Sequence, residues 1–304
     1  MSISLCMIVR DEEKYLEQAI KSVQELVDEI IIVDAGSLDR TVAVARKYTP
    51  NVFSYKWDND FSKARNFALS KATKEWILVL DADEVLSKED HLVIKELTKS
   101  KGYDAYTFVQ VSYTNDRKLL GFKLVNQKIP EAKEFMGFIS CNIIRLFRNT
   151  KEIKFSSPVH ESVDASIKDK KRIQQTAIVI HHYQFEKGER VHKAKQLQYL
   201  KIYEEKIDQF ENKAKVYRDM GIIHYNFKED YPKAIQYYKK SLLLNPNNIK
   251  TYLGLAIAYM KNKQIEEAAK TVEEAEKIDP YNQEIINLKN YIKRVKELLN
   301  SGAS

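Results

Sequence analysis

Three carboxylates within four positions offer the clearest chemistry in this sequence. Asp81, Asp83 and Glu84 follow the unbroken apolar run of residues 76–80, which predicts a strand buried on both faces of a sheet. Asp81 and Asp83 are two positions apart, so in an extended segment both carboxylates can point to the same side beyond the strand end. Hard oxygen ligands of this kind suit Mg²⁺ or Mn²⁺, which can in turn bind a diphosphate. An ordinary acidic junction between a strand and a loop gives the same short pattern, so the motif is interpreted together with its surroundings.

Polar residues also follow the two apolar runs that precede this motif, at residues 3–9 and 29–33. Asp34 stands where acidic residues of nucleotide-binding α/β folds hydrogen-bond a base or a ribose. Ser37 or Asp39 is expected to cap the helix that follows. Neither G-x-G-x-x-G nor G-x-x-x-x-G-K-[ST] occurs in the chain, so Rossmann-type hydride transfer and P-loop chemistry have no support.

The elements that position these residues follow from hydrophobic periodicity. Helices with one apolar face are expected between the first strands, at residues 15–26, 42–48 and 62–72. Strands are expected at residues 3–9, 29–33, 51–55, 76–80, 103–111, 143–149 and 178–185. Strands that alternate with helices predict βαβ units, and right-handed crossovers make these a doubly wound, mostly parallel sheet. Residues 112–137 are lysine-rich and irregular, and we interpret them as an acceptor-side flap or as a mobile insertion.

Composition restricts the class of protein. The 304 residues suffice for two domains, and 44% hydrophobic with 31% charged residues is typical of a globular protein. No apolar run approaches a membrane span and no signal-peptide pattern occurs, so we expect a cytoplasmic protein. Cys6 and Cys141 are too few for a disulfide framework or a zinc site. The net charge of +7 is spread along the chain, without the basic aromatic blocks that indicate nucleic-acid binding.

Four motifs occur in one order within about eighty residues. They are Ser4-Leu-Cys-Met-Ile-Val-Arg-Asp-Glu12, Val33-Asp-Ala-Gly-Ser-Leu-Asp-Arg-Thr41, Trp57-Asp-Asn-Asp-Phe-Ser-Lys-Ala-Arg-Asn66 and Asp81-Ala-Asp-Glu84. In these motifs, residues 3 to about 185 resemble the family 2 glycosyltransferases, inverting enzymes of the GT-A fold that use nucleotide-sugar donors. The resemblance is to the bacterial branch that includes bacteriocin peptide S-glycosyltransferases and other small, repeat-bearing enzymes. It implies a doubly wound mixed sheet, a UDP-sugar donor, and Mg²⁺ or Mn²⁺ as cofactor.

The resemblance also implies roles for individual residues. Asp34 should contact the uracil or ribose, Arg65 should lie near the base and the diphosphate, and Asp81 should face the ribose or the sugar. Asp83 should bind a metal ion that bridges the phosphates and makes UDP a better leaving group. The full set expected to bind the nucleotide sugar is Val9, Arg10, Glu12, Asp34, Arg65, Asp81 and Ala82.

Two later segments complete the expected site. Residues 155–163 resemble the family's His-Glu segment, which makes Glu161 our candidate for the general base and His160 the second candidate. Glu84 and Asp164 stay open as bases, and Glu161 has the alternative of a structural role. The expected strand 178–185 ends in two histidines, and the family pattern selects His182 over His181 as the further metal ligand. Gln184 stands where that pattern has glycine.

The C-terminal part has a different composition, in which Lys, Glu, Tyr and Ala dominate. A long helix is expected at residues 191–210. Two segments then align at a period of 34, in which Ala234 matches Ala268 and Asn245-Pro246 matches Asp279-Pro280. This is the signature of tetratricopeptide repeats. The alignment predicts one extra residue near Lys228 in the first repeat. A capping helix is expected at residues 285–299.

These patterns give a division of the chain and a set of functions. We expect a GT-A catalytic domain at 1–186, a linking helix at 187–212 and tetratricopeptide-like repeats at 213–304. The first hypothesis is a metal-dependent inverting glycosyltransferase that moves a hexosyl or N-acetylhexosaminyl group from a UDP-sugar to a protein or peptide. The repeats would hold that acceptor, mediate self-association or brace the fold. The alternatives are a polysaccharide or lipid-linked acceptor, and a tetratricopeptide adaptor without catalytic activity.

Overall fold

The protein is described from a computed structural model, which covers residues 1–117, 119, 121–125 and 129–301. Its contacts divide the chain into two compact units, Met1–His192 and Lys193–Ser304. Lys118, Leu120 and residues 126–128 of the expected flap lie outside the described residues. No helix in the described ranges is both long and apolar enough to cross a membrane.

The N-terminal unit alternates strands and helices along its first half, as the periodicity predicts. Its helices are α1 (Leu16–Val23), α2 (Thr41–Ala45), α3 (Phe61–Leu69) and α4 (His91–Lys99). Its strands are β1 (Ile3–Val9), β2 (Glu29–Asp34), β3 (Val52–Ser54), β4 (Trp76–Val79), β5 (Glu84–Leu86), β6 (Ala105–Thr114), β7 (Lys123–Leu124), β8 (Gly137–Arg148) and β9 (Ile173–His182).

The described strands form one mixed sheet in the order β3-β2-β1-β4-β8-β6-β9-β5, with β7 paired to β8. The four strands from β3 to β4 are parallel, which confirms the βαβ interpretation of the N-terminal segments. β8 runs antiparallel to both β4 and β6, and β5 runs antiparallel to β9. The doubly wound mixed sheet implied by the family resemblance is confirmed, whereas a mostly parallel sheet holds only for the first half.

Alternating side chains of the central strands face two apolar layers, as expected when helices cover both faces of a sheet. Leu5 and Met7 of β1 lie in a buried cluster with Leu16 and Ile20 of α1. Cys6, between them in sequence, lies in the second cluster with Ala68 of α3. The two apolar layers therefore stabilise the sheet, and the polar residues at the strand ends are free to form a site.

The strands of the middle segment are longer than the sequence indicates. β6 continues to Thr114 and β8 begins at Gly137, whereas strands were expected at 103–111 and 143–149. Residues 140–142 of β8 are exposed and include Ser140 and Asn142, so no apolar run marks this part of the strand. Within the expected flap, β7 pairs with β8 and a 3₁₀ turn spans Pro130–Ala132. An irregular segment over the whole of 112–137 was therefore wrong for its described residues.

β9 contains an irregularity that fixes the position of its last residues. Thr107 of β6 pairs with Gln175, and Val109 pairs with Val179, so two steps along β6 correspond to four steps along β9. The hydroxyl of Thr176, inside this bulge, donates to the backbone carbonyl of Thr107 at 2.8 Å. Past the bulge, regular pairing brings His182 opposite Ser112.

The C-terminal unit is helical. Helix α5 (Glu189–Lys206) begins before the boundary at Lys193 and continues into this unit. The further helices of the unit are α6 (Lys213–Phe227), α7 (Tyr231–Leu244), α8 (Ile249–Lys261), α9 (Ile265–Ile278) and α10 (Gln283–Ser301). α7 and α9 begin and end 34 residues apart, and Ala234 and Ala268 are both fully buried. Tetratricopeptide-like repeats are therefore confirmed in this unit.

Both repeats have the same loop between their helices. Each loop has three residues, with Glu229 at φ 52° in the first and Lys263 at φ 61° in the second. The expected extra residue near Lys228 was wrong, because these two loops are equal in length and lie 34 residues apart in the sequence. Ser241, which replaces the small residue Ala275 of the second repeat, donates its hydroxyl to the carbonyl of Ala214 at 2.7 Å.

Candidate active site

The Asp81–Glu84 turn joins β4 to β5, and strand pairing decides what faces it. Glu84 is opposite His182 in the β5–β9 ladder, so the acidic turn and the end of β9 are held side by side. Asp83 Oδ1 lies 3.6 Å from His182 Nε2, and the backbone N–H of Tyr183 donates to the carbonyl of Asp83 at 3.0 Å. His182 Nδ1 lies 2.9 Å from the Ser112 hydroxyl, which orients the ring.

A lysine occupies the centre of this part of the site. Lys187 Nζ lies 2.8 Å from Asp83 Oδ2 and 2.5 Å from Glu12 Oε1. We call Glu12, Asp83, His182 and Lys187 the lysine cluster. The members of this cluster come from three places in the sheet: Glu12 follows β1, Asp83 precedes β5 and Lys187 follows β9.

Burial and charge oppose each other in the lysine cluster. Burial raises the pKa of Glu12 to about 7, although the charge of Lys187 acts in the opposite direction. Burial alone would raise the pKa of Asp83, but the interactions with His182 and Lys187 outweigh it and lower the pKa below its usual range. Burial also opposes the charged form of Lys187, yet the carboxylates of Asp83 and Glu12 raise its pKa. Asp83 and Lys187 are therefore an ion pair.

A second group of charges adjoins the first through the same turn. Arg65 Nη2 donates to Asp81 Oδ1 at 2.6 Å, and Arg65 Nε donates to Glu161 Oε1 at 2.6 Å. Arg145 Nη2 lies 2.7 Å from Glu84 Oε1 and 3.2 Å from Asp81 Oδ2. We call Arg65, Asp81, Glu84, Arg145 and Glu161 the arginine cluster.

The buried side chain of Glu84 holds the Asp81–Glu84 turn in place. Its side chain is fully buried, and its Oε2 accepts from the backbone N–H of Asp81 at 2.8 Å, while Oε1 accepts from Arg145 and from Gln110. Burial opposes the ionised form of Asp81, but the charges of Arg65 and Arg145 outweigh it and hold the pKa of Asp81 well below its usual range. Asp81 is therefore ionised, and the hydrogen bonds of Glu84 hold the turn in place.

Three polar atoms of the site are buried without a hydrogen-bond partner among the described residues. They are Arg65 Nη1, Arg145 Nε and Glu12 Oε2. A buried donor or acceptor without a partner costs free energy of about 1–3 kcal/mol. An anionic ligand with several oxygens could accept hydrogen bonds from the two unpaired guanidinium nitrogens beside the acidic turn.

Reciprocal hydrogen bonds join the loops that follow β1 and β2. The carboxylate of Asp11 accepts a hydrogen bond from the backbone N–H of Leu38 at 2.7 Å. The backbone N–H of Asp11, whose φ is 54°, donates to the Ser37 hydroxyl at 2.9 Å. Asp39 accepts the N–H groups of Glu13 at 3.0 Å and Thr41 at 2.8 Å. The N-cap residue of α2 is Arg40, whose side chain makes no capping hydrogen bond, so neither Ser37 nor Asp39 occupies the cap position. Asp39 instead bonds Thr41, the first residue of α2, and Ser37 bonds the other loop.

Not all of the expected site residues lie in the two clusters. Asp34 is buried at the end of β2 and accepts the N–H groups of Gly36 at 3.2 Å and Ser37 at 3.1 Å. Val9 and Ala82 are buried, and Arg10 is about half exposed. His160, at φ 55°, has an exposed side chain next to Glu161.

Sequence reasoning missed two charged residues of the site. Arg145 interrupts an otherwise apolar run, and a charge inside a strand that is expected to be buried was the signal that could have identified it. Lys187 lies one residue past the boundary expected for the catalytic domain, and its partner Glu12 is 175 residues away, so no local pattern indicates it.

The other histidine of the pair has a structural environment. His181 Nδ1 lies 2.7 Å from the Tyr113 hydroxyl and its Nε2 lies 3.1 Å from the Ser87 hydroxyl. Burial lowers the pKa of His181. Both ring nitrogens are therefore engaged away from Asp83.

The lysine cluster fits a divalent cation that shares its coordination with a substrate. No group of three His, Cys, Asp or Glu side chains with metal-site geometry occurs in the described part of the chain. Asp83 and His182 nevertheless provide an oxygen and a nitrogen that converge, and Glu12 Oε2 is an orphaned buried oxygen. Mg²⁺ is commonly held by one or two carboxylates together with substrate phosphates, so this donor set is compatible with it.

Comparisons with known proteins identify two families along the chain. The model of glycosyl transferase family 2 matches residues 4–152, and a tetratricopeptide repeat model matches residues 228–290. A TPR repeat-containing protein of Synechococcus elongatus is 39% identical over 165 residues, which cover 54% of this chain and 36% of that protein. The SPbeta prophage-derived glycosyltransferase SunS of Bacillus subtilis is 33% identical over 162 residues, 53% of this chain and 34% of the relative.

Among solved structures, S. aureus TarS in complex with UDP-GlcNAc matches with a TM-score of 0.48 and 16% identity over 93% of both chains. The matched region spans only about a third of the two curated relatives' own lengths. The two family models cover separate parts of the chain, in the order that the motifs and the period of 34 predict. The chain therefore contains a family 2 glycosyl transferase domain followed by tetratricopeptide repeats.

Proposed function

We propose that the N-terminal unit transfers a hexosyl or N-acetylhexosaminyl group from a UDP-sugar to a protein or peptide, with inversion at the anomeric carbon. The observation that carries this proposal is the convergence of Asp81, Asp83, Arg65 and His182 at the acidic turn of a family 2 domain. Cys6 and Cys141 are both free thiols, in keeping with the cytoplasmic location that we propose.

Charge and hydrogen-bonding capacity support a diphosphate at this turn. Arg65 and Arg145 are buried guanidiniums, and each has an orphaned N–H that an oxyanion would satisfy. Asp34 is buried at the end of β2, which β1 separates from β4, and we place the uracil or ribose there. Val9, Arg10, Glu12 and Ala82 are the further residues that we assign to nucleotide-sugar binding.

We assign Asp83 and His182 as the protein ligands of Mg²⁺ or Mn²⁺. Their facing atoms are 3.6 Å apart, and Ser112 holds the imidazole from its other nitrogen. When bound, the ion would neutralise negative charge that develops on the departing diphosphate. Asp81, which Arg65 and Arg145 hold in place, is the residue that we assign to orient the ribose or the sugar.

Inversion requires the acceptor to attack from the side opposite UDP. A bond forms from the acceptor atom to the anomeric carbon, the bond to the β-phosphate oxygen breaks with its electron pair, and a base takes the acceptor's proton. We assign Glu161 as this base and His160 as the second candidate. Glu84 is less suited, because both of its carboxylate oxygens accept hydrogen bonds inside the fold. Asp164 is exposed, and its carboxylate lies 3.1 Å from Lys170 Nζ.

The helical repeats support a protein or peptide acceptor. Arrays of this type present extended concave surfaces that bind polypeptides. The first repeat carries a partly exposed aromatic pair, Tyr217 and Tyr237, whose ring centroids are 6.3 Å apart and which Lys240 covers at 5.6 and 5.3 Å. Tyrosine is enriched among the residues that contribute most of the binding energy at protein interfaces.

The first test measures binding and turnover separately. We expect the melting temperature to rise with UDP and Mn²⁺ together, because a ligand that binds only the native state stabilises it by mass action. Mass spectrometry across a panel of UDP-sugars should then identify the donor through release of UDP. Asp83→Asn should abolish the metal-dependent part of both signals, whereas the exposed Asp169→Asn should leave them unchanged. Absence of any shift with nucleotides and metals would refute the proposal and favour a tetratricopeptide adaptor.

A further inference from the structure

Lys187 is a charged residue of the site that the proposed chemistry does not use. Its Nζ bridges Asp83 Oδ2 at 2.8 Å and Glu12 Oε1 at 2.5 Å, and it lies 5.3 Å from the centre of the Tyr15 ring. The side chain is 17% exposed, so the ammonium is shielded but reachable from solvent. Lys187 is thus a cation built into the place where the acidic turn would receive one.

The two oxygens of Asp83 face different partners. Oδ2 faces the Lys187 ammonium, whereas Oδ1 faces His182 Nε2 at 3.6 Å. A divalent cation bound between Asp83 and His182 would therefore lie next to a positive charge on the same carboxylate. Like charges at such separations repel appreciably in a partly buried site. The Asp83–Lys187 ion pair therefore disfavours binding of a metal ion alone.

A diphosphate changes this balance, because it brings negative charge of its own. Oxygens of the diphosphate can accept hydrogen bonds from the ammonium and can also coordinate the metal ion. Glu12 keeps Lys187 tethered near the turn, since the backbone N–H of Glu12 is itself fixed by the Thr41 hydroxyl at 2.7 Å. The ammonium thus has a nearby alternative partner once a metal–diphosphate complex reaches Asp83.

We propose that Lys187 is an exchangeable counter-ion of the donor site: it neutralises Asp83 until a metal–nucleoside diphosphate complex binds, and it then pairs with the diphosphate. This inference rests on the proposed function and adds the order of events. Metal and nucleotide bind as one complex, and the metal ion alone is excluded. Lys187 is accordingly a ligand-binding residue for the diphosphate rather than a catalytic base.

The experiment measures Mn²⁺ binding directly, without any turnover. Free Mn²⁺ is followed by electron paramagnetic resonance in titrations of the full chain, with and without UDP. The variants are Lys187→Met and, as a matched control, Lys133→Met, which removes a lysine that pairs with Glu186 at 2.7 Å outside the lysine cluster. A second variant, Glu12→Gln combined with Lys187→Met, removes one charge of each sign and so keeps the local net charge if the single variant folds poorly.

The expected result has two parts. Without UDP, Lys187→Met should bind Mn²⁺ at least about tenfold more tightly than the unmodified chain. The double variant should also bind Mn²⁺ more tightly than the unmodified chain, but by less, because it loses the Glu12 carboxylate as well. With Mn²⁺ present, Lys187→Met should bind UDP at least about tenfold more weakly, and Lys133→Met should match the unmodified chain in both titrations. UDP-dependent Mn²⁺ binding in the unmodified chain, combined with the same nucleotide-free Mn²⁺ affinity in all variants, would overturn the exchange alone. If the unmodified chain binds no Mn²⁺ even with UDP, the proposed function fails as well.

Discussion

Replacement of Arg145 tests whether the arginine cluster holds the acidic turn. Arg145→Met removes a cation that is 9% exposed and keeps a side chain of similar length in the apolar surroundings of β8. Glu84, which is fully buried, loses its only described ion-pair partner, whereas Asp81 keeps its pair with Arg65. The variant therefore leaves one uncompensated charge inside the protein.

The structure allows the size of this effect to be worked out. Removal of one member of a buried ion pair typically costs about 3–5 kcal/mol. Glu84 retains hydrogen bonds from Gln110 and from the Asp81 N–H, so we take the lower end, about 3 kcal/mol. For a unit of this size, about 2–4 °C of melting temperature corresponds to each kcal/mol, which gives a decrease of roughly 6–12 °C.

The assay can observe the N-terminal unit selectively. The two tryptophans of the chain, Trp57 and Trp76, both lie in that unit, so tryptophan fluorescence in urea or on heating reports its unfolding. Arg172→Met is the matched control, because the Arg172–Asp104 pair is partly exposed and such pairs contribute about 0–1 kcal/mol. Glu84→Gln added to Arg145→Met should restore part of the stability, since it removes the stranded charge.

Two outcomes would refute this reasoning. One is a loss of stability for Arg145→Met that does not exceed the loss for Arg172→Met. The other is a double variant less stable than Arg145→Met, which would mean that the Glu84 charge is stabilised by other groups.

Three further predictions concern single residues. Glu161→Gln should lower the turnover number by about 100-fold or more, as expected for loss of a general base, and Asp164→Asn should be nearly silent; comparable turnover in the two variants would exclude Glu161. Gly221→Ala should destabilise the repeats by about 1–3 kcal/mol, because a Cβ at this position would come within 2.8 Å of the Tyr238 ring. Gly102→Ala is the control, because a Cβ at exposed Gly102 would meet no atom closer than 3.7 Å. Thermal unfolding followed by circular dichroism measures both variants, and an equal effect would contradict the packing argument. His224 is fully buried beside Lys228, Asp230 and Lys233, and burial lowers its pKa, so the unfolded chain takes up the proton first as the pH falls. The free energy of unfolding of the repeats should therefore fall by up to about 1.4 kcal/mol per pH unit below pH 6.5. His224→Phe should remove that slope in denaturation series between pH 5 and 7, and an unchanged slope would exclude His224 as its source.

The parts of the fold that sequence reasoning recovers are those determined locally. β1, β2 and β4 are apolar runs with polar ends, so burial and boundaries can both be read from the pattern. The 34-residue period likewise gives α7 and α9 at equivalent positions. β5 has only three residues, and its strand character depends on pairing with β9, almost a hundred positions later. A short segment stabilised by a distant partner has no signature of its own.

The site shows the same division between local and distant information. The positions of Asp81, Asp83, His182 and Glu161 follow from motifs, and the structure brings these residues to one edge of the sheet. Their charge partners do not follow from motifs. Arg145 is 61 residues from Glu84, and Lys187 is 175 residues from Glu12, and each ion pair exists only because the sheet closes the distance.

The bulge in β9 has a consequence for variation in the length of this chain. It inserts two residues relative to β6, and because strand side chains alternate with a period of two, this even number leaves every later residue on its original face. A deletion of one residue between Gln175 and Val179 would instead put His182 in the place of His181 and Tyr183 in the place of His182. An insertion of one residue would put His181 in the place of His182 and Ile180 in the place of His181. The two imidazoles are chemically identical, so their assignment to Tyr113 or to Asp83 depends only on counting along the strand. Among relatives of this chain, insertions and deletions of one residue in this short segment should therefore be rarer than substitutions.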